Sequence, residues 1–297
     1  RVWANVEAEV GGLYMSDDAG SSWTLVNAHR DIWQRAFYFQ RIQADPTDRN
    51  TIYLLNFRLM RSTDAGRTLD SVRETHADHH DLWIDPDNPS RMINGNDGGA
   101  NVSVNGGRTF TAQGNQATAE FYRVTVDNDI PYRVYGAQQD NSTAAVQSAF
   151  GGGGRGGSDF YAVGGGESGH IAVDPRDSNV IWAGSYGGNF TRQDRNTGIT
   201  RSVRIYADAE TGQQAADMKY RFQWNAPIRI SPHDPDTVYI MSQYVHRTRD
   251  QGVNWEVISP DLTRQTSHFD LPLQGEVQPR DAFMLHRATS DYGNITM

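Results

Sequence analysis

Four carboxylates and a set of amide, imidazole and aromatic side chains carry whatever chemistry this chain performs. Asp81 closes Asp78-His-His-Asp81, Asp97 lies in Asn96-Asp-Gly-Gly99, Asp140 in Gln138-Gln-Asp-Asn141, and Glu167 between three glycines and Ser168-Gly169. Paired carboxyl groups suit glycoside hydrolysis, which needs them about 5–5.5 Å apart for retention or about 6.5–9.5 Å apart for inversion. The same carboxylates also suit binding. With His79, His80, Asn96, Gln138, Gln139, Asn141, His170, Tyr186, Gln223, Trp224 and Arg58 they make a hydrogen-bonding and stacking surface for a peptide, protein or glycan ligand. Neutral imidazoles beside Asp81 or Asp97 suit a divalent metal. No His-Glu-x-x-His or other fixed-spacing ligand set occurs, however, so no cofactor is expected. Each group has a plainer reading too: His79-His80 as a satisfied pair at the start of a strand, Asp97-Gly-Gly as a tight turn, Glu167 as a side chain in a flexible glycine-rich setting.

The elements that must position these groups are short strands. Asp supplies 28 of the 36 acidic residues, Lys219 is the only lysine, and there are 29 glycines. Asp caps turns and is a poor helix former, so long amphipathic helices are excluded as the main architecture. A hydrophobic content of 37% with 10% aromatics supports a core and argues against disorder. The longest apolar runs, such as Val238-Tyr-Ile-Met241, fall far below the ~18 residues of a membrane span. A net charge of −9 without a basic run argues against nucleic acid as a partner. With no cysteine there are no disulfides or thiolate sites, and Arg1-Val-Trp-Ala-Asn shows no signal peptide.

An internal repeat organises the whole chain. One unit reads as an apolar strand, Asp-Pro, a polar turn, a second apolar strand, then a Ser/Thr-x-Asp-x-Gly-x-x-aromatic hairpin. Its start marker recurs at Asp45-Pro46, Asp85-Pro86, Asp127, Asp174-Pro175 and Ser231-Pro232, at spacings of 40, 42, 47 and 57 residues. The hairpin recurs as Ser16-Asp-Asp-Ala-Gly20, Ser62-Thr-Asp-Ala-Gly66, Ser103-Val-Asn-Gly-Gly107 and Thr248-Arg-Asp-Gln-Gly252, with a degraded copy near Asp194. Four short strands in a period of about 40–45 residues predict an all-β fold, a β-propeller. The repeats predict blades over 35–77, 78–119, 120–163, 164–219 and 220–264, with a partial blade over 1–34. Residues 265–297 read as a connection and the start of another blade, and Gly151-Gly-Gly-Gly-Arg-Gly-Gly157 as a loop. In such a fold the strand starts and the turns between second and third strands open on one face, where the four carboxylates are expected to converge.

The hairpin resembles the Asp-box, or BNR repeat, of sialidases, sortilin/Vps10 domains and xyloglucanase-type glycoside hydrolases. Asp78-His-His-Asp-Leu-Trp-Ile-Asp-Pro-Asp-Asn-Pro89, Asn94-Gly-Asn-Asp-Gly-Gly-Ala100, Tyr132-Arg-Val-Tyr-Gly-Ala-Gln-Gln-Asp-Asn-Ser142 and Gly164-Gly-Gly-Glu-Ser-Gly169 look like the large bacterial WD40/YVTN/BNR-like repeat proteins. The resemblance covers essentially the whole chain. It implies an internal portion of a longer exported protein, and either a sortilin-like binding or scaffold role or a carbohydrate-active hydrolase. It faintly implies a catalytic acid at Asp97, although the direct Gly-Gly that follows departs from the enzymes' Asp-x-Gly-Gly. A sialidase mechanism lacks its arginine triad: only Arg35, Arg58 and Arg221 fall near the right face.

Overall fold

The structure, a computed structural model, describes residues 1–36, 38–73, 75–114, 116, 119–149, 160–208, 218–273, 275–280 and 293–296. The Gly151–Gly157 stretch lies outside the described residues. The chain divides into two compact units, 1–118 and 119–297.

In the first unit, β1 (Val2–Val6), β2 (Gly12–Ser16) and β3 (Thr24–Asn27) form one antiparallel sheet. A second contains β4 (Arg41–Ala44), β5 (Ile52–Leu55), β6 (Leu59–Ser62) and β7 (Asp70–Ser71), and a third β8 (His79–Ile84), β9 (Met92–Asn96) and β10 (Gly99–Ser103). In the second unit, β11 (Phe121–Val126), β12 (Arg133–Gln138) and β13 (Thr143–Gln147) form the first sheet. They are followed by β14 (Ile171–Val173), β15 (Val180–Ser185), β16 (Asn189–Asp194) and β17 (Ile199–Ser202), and then by β18 (Ile228–Ile230), β19 (Val238–Met241), β20 (Val245–Thr248) and β21 (Glu256–Val257). Strands within every one of these sheets pair in sequence order, each with the next.

Cores lie between consecutive sheets. Leu13, Ile52 and Leu54 join the first two sheets, and Tyr53, Leu82 and Met92 the second and third. In the second unit, Tyr135, Ile171 and Ile181 fill the first interface, and Trp182, Phe190, Ile228 and Ile240 the next. Two of the second strands are buried on both faces, Ile52-Tyr-Leu-Leu55 in β5 and Ile181-Trp-Ala-Gly184 in β15. The first strands lie side by side, β4 between β1 and β8 in one unit and β14 between β11 and β18 in the other. Each unit is a run of propeller blades. Residues 265–280, expected as a plain connection, hold a 3₁₀ turn at His268–Asp270 and a two-residue ladder of Pro272–Leu273 with Glu276–Val277.

The repeated turns give many of the Asp residues a common role. Four hairpins share one hydrogen-bond scheme: the hydroxyl oxygen of Ser16, Ser62, Ser103 or Thr248 accepts the amide of Gly20, Gly66, Gly107 or Gly252 at 2.8–3.0 Å. The same hydroxyl donates to Asp18, Asp64, Asn105 or Asp250, which in turn accepts the backbone N–H four residues on. Hydroxyl and amide donors from Ser22 and Ser16 hold Asp18 down at about 2, and those from Thr68 and Asn254 do the same for Asp64 and Asp250. Ala65 and Gly66 both carry positive φ, 62° and 82°, the second of which favours glycine. After the first strands, Asp45, Asp85, Asp127 and Asp174 accept amides of the following turn in the same way.

Ser62→Ala is expected to cost about 1–3 kcal/mol, because it leaves the Gly66 amide unpaired under a buried hairpin. Urea unfolding should show a lower midpoint with an unchanged slope; an unaltered midpoint would mean that the hydroxyl is dispensable.

Candidate functional site

The second unit gathers the larger group of sequence-predicted residues around the strand ends and turns of its blades. Gln139 is the junction: its amide nitrogen donates to Asp140 Oδ1 at 2.6 Å and to Glu167 Oε2 at 3.4 Å. Asp140 Oδ1 and Glu167 Oε2 can be no farther apart than the sum of those distances, so the two carboxyl groups lie near enough for the paired geometry of a glycoside hydrolase. The turn that presents them is built locally. Asp140 sits at φ 57°, the Asn141 amide donates to the Gln138 carbonyl, and the Asn141 side chain to the Gln139 carbonyl. Gln138 is buried at the end of β12, so it and Asn141 shape the turn.

Glu167 is held more firmly than a glycine-rich setting suggests. A Cβ at Gly165 would stand 2.7 Å from the Gly184 carbonyl oxygen, and one at Gly169 2.8 Å from the Gly184 carbonyl carbon. The Gly166 amide donates to that same Gly184 oxygen, Gly165 to Thr191 Oγ1, and Gly169 to Asn225 Oδ1. These glycines thus permit the loop to press on β15, a close-approach role rather than a flexible one.

An aromatic platform stands beside the carboxylates. Tyr186 and Trp224 stack with centroids 4.5 Å apart and planes 9° apart, and the indole N–H donates to the Tyr122 hydroxyl at 2.9 Å. The platform is positioned by sequence in three steps. Gly187 and Gly188, at φ 64° and 68°, turn the chain between β15 and β16 just after Tyr186. A Cβ on Gly188 would meet the Phe222 ring at 2.6 Å, so the bare glycine lets Phe222 seat. Phe222 packs edge-on against the buried Phe190 and anchors the segment two residues before Trp224. Gln223 accepts the Asn225 amide and steadies the same lead-in to β18. Burial raises the Tyr122 phenol, and the charges of Glu120, Asp140 and Glu167 raise it further, while the indole bond opposes them. Tyr122 and Glu120 were not among the sequence candidates. Their signal was their place at the start of β11, the same offset that singled out Glu167 and Trp224.

His170, at the head of β14, is 4% exposed, and burial, with Arg229 and Arg123 nearby, lowers it to about 4. It is therefore neutral at pH 7.

The first unit holds a pair of its own. His80 Nε2 and Asp97 Oδ1 are 2.8 Å apart, and the imidazole packs against Phe39 and Tyr38 at 4.6 and 5.5 Å. Arg35 reaches Asp78 at 3.3 Å. Asn96 accepts from the Gly98 amide and from Gln113 and donates to Asn101, so it supports the β9–β10 turn. His79 is fully enclosed, with Nδ1 3.1 Å from Asn94 Oδ1 and Nε2 3.4 Å from Thr75 Oγ1; burial lowers it to about 4, so it is a neutral structural histidine. Asp81 stands apart from His80 and Asp97. The β8–β9 pairing shifts between His79 and Asp81, which turns Asp81 outward to an exposed pair with Arg41 at 3.0 Å. Arg58 is exposed in the β5–β6 turn.

No family model and no curated protein matches the chain. Solved structures similar to it include a GH74 enzyme from Niastella koreensis (17% identity, TM-score 0.33, covering 84% of this chain and 42% of that one). The GH74 xyloglucanase from Xanthomonas campestris is 16% identical with a TM-score of 0.31, over 85% and 43% of the two chains. YCF48 bound to D1 peptide is 12% identical with a TM-score of 0.33, over 84% and 76%. The chain spans less than half the length of the two GH74 chains.

Proposed function

We propose that the chain is part of a binding propeller that holds a peptide, protein or glycan at the loop end of the second unit. The observation that supports this reading is the Gln139 amide lodged between Asp140 and Glu167, beside the Tyr186–Trp224 stack. A hydrolase needs a protonated acid and an open path between its carboxyls. A shared amide donor instead suits two ionised acceptors and fills the space where a scissile bond would lie. Aromatic faces flanked by fixed hydrogen-bonding groups are the usual makings of a binding hot spot. The runner-up is a glycoside hydrolase using Asp140 and Glu167, favoured by one observation only, their short separation.

A screen of glycan and peptide arrays should return a ligand whose affinity falls at least about 30-fold in Trp224→Ala, the loss of a hot-spot aromatic worth ~2 kcal/mol. A ligand held equally well by the variant would remove the site from the account.

A further inference from the structure

We propose that the sheet of β1–β3 docks on the sheet of β18–β21 of a second copy of this chain, head to tail, by repeating the contact that joins β14–β17 to β18–β21. In that contact Trp255, the aromatic residue of the Thr248 hairpin, crosses to the preceding sheet. Its indole meets Trp182 edge-on at 6.4 Å, and its N–H donates to the Val203 carbonyl at 3.2 Å. Phe190 completes the receiving face, and Val238 and Ile240 of β19 pack into the same core. The chain holds both halves of this contact a second time, and there they are exposed.

The inserting half lies on the first sheet. Trp23 holds the place in the Ser16 hairpin that Phe110 and Trp255 hold in theirs, and those two pack on the sheet before their own. The Trp23 N–H instead folds back on its own Gly20 carbonyl at 3.1 Å, and the residue is 43% exposed. Val2, paired with Ser16 as Val238 is with Thr248, is 44% exposed. Trp3 and Leu13 point into the core shared with Ile52, so the alternate residues Val2 and Tyr14 face away from it.

The receiving half lies on β18–β21. Tyr239 pairs with Arg247 as Trp182 pairs with Arg192, and the Ile258 N–H donates to the Val245 carbonyl as that of Val203 does to Phe190, both at 2.9 Å. Tyr239, Val245 and Ile258 therefore stand where Trp182, Phe190 and Val203 stand in the sheet before. Tyr239 alternates with Val238 and Ile240, which face β14–β17, so it points to the opposite side. Ile258 is 41% exposed, and Tyr239 and Val245 are half-buried. Beside them Arg247 is paired with Glu256 at 2.5 Å, so a docked sheet buries no lone charge. In the contact the Trp23 N–H exchanges the Gly20 carbonyl for that of Ile258. Apolar patches of this kind mark association, and two unlike patches that fit each other join copies head to tail rather than about a two-fold axis.

Sedimentation velocity of the whole chain over about a hundredfold range of concentration tests this, because association follows mass action. The weight-average mass is expected to rise at least about twofold from that of one chain, since head-to-tail contacts can continue from copy to copy. Trp23→Arg and Ile258→Arg, both at exposed positions, should keep the far-ultraviolet circular dichroism of the parent, and each should stay monomeric alone. Mixed in equal amounts, the two variants should form a one-to-one pair and nothing larger, because each supplies the half that the other lacks. A parent chain that stays monomeric throughout, an Ile258→Arg chain that still associates, or a mixture that stays monomeric overturns the inference.

Discussion

Lowering the pH from 7 to 5 is expected to cost the second unit several kcal/mol of stability. His170 and His246 are buried, at 4% and 0% exposure, and burial holds each near pKa 4 against an ordinary 6.5. His246 is packed edge-on against Tyr220, with Nε2 2.7 Å from Ser242 Oγ, and the nearby Lys219 charge acts in the same direction as burial. The sign follows from proton counting. Between about pH 6.5 and 4 the unfolded chain binds protons that the folded chain refuses, so stability falls as pH falls. Each histidine contributes on the order of 1.4 kcal/mol per pH unit across that window, and on the order of 3 kcal/mol in all. Two together approach the ~5–15 kcal/mol that holds a typical domain. His79 places one such group in the first unit, which should therefore be less acid-sensitive. The hairpin carboxylates Asp18, Asp64 and Asp250, held near 2, act only later, as pH drops from the ordinary carboxylate range toward 2. Chemical denaturation followed from pH 7 to 5 checks this. His246→Phe should flatten the slope by up to one proton whatever it does to absolute stability, and a slope already flat in the parent chain would refute the argument.

Phe190→Ala is expected to destabilise the second unit by about 3–5 kcal/mol, the usual cost of emptying a buried phenylalanine site. Phe190 is 1% exposed, faces Gly184 across β15–β16, and meets Phe222 edge-on at 5.5 Å. Its loss opens a cavity directly beneath the segment that holds Trp224. The effect should reach the ligand site: the Tyr186–Trp224 stack loses its floor, and binding should weaken even where the variant remains folded. Urea unfolding gives the stability change, and near-ultraviolet circular dichroism of the indole reports the stack. A variant as stable as the parent would contradict the packing account, and one that is destabilised but keeps full binding would separate the core from the site.

The blades were legible because their chemistry is local. A Ser/Thr hydroxyl, an Asp two residues on and a Gly four residues on form one hydrogen-bonded turn wherever they recur, so four hairpins could be read directly from spacing. The apolar strands β5 and β15 were legible for the same reason, since burial on both faces leaves no alternation to interpret. What escaped depended on contacts remote in sequence. Tyr122 meets Trp224 across 102 residues, and nothing in either neighbourhood announces the bond. Asp81 was one of four carboxylates expected to converge, but the register shift in β8 turns it toward Arg41. Glu167 looked loosely held because glycine signals both freedom and close approach, and only the Gly184 backbone beside the loop decides between them. Asp140 and Glu167 were two of the four candidate carboxylates, but neither their pairing nor the amide placed between them was legible in the sequence.

The most direct test is to titrate the array-selected ligand into the chain and into Trp224→Ala, then recover the ligand after prolonged incubation. Saturable binding by the parent chain, at least about 30-fold weaker in the variant, with the ligand recovered intact is the predicted result. Conversion of the ligand to cleaved product, abolished by Glu167→Gln, would contradict it and establish the hydrolase instead.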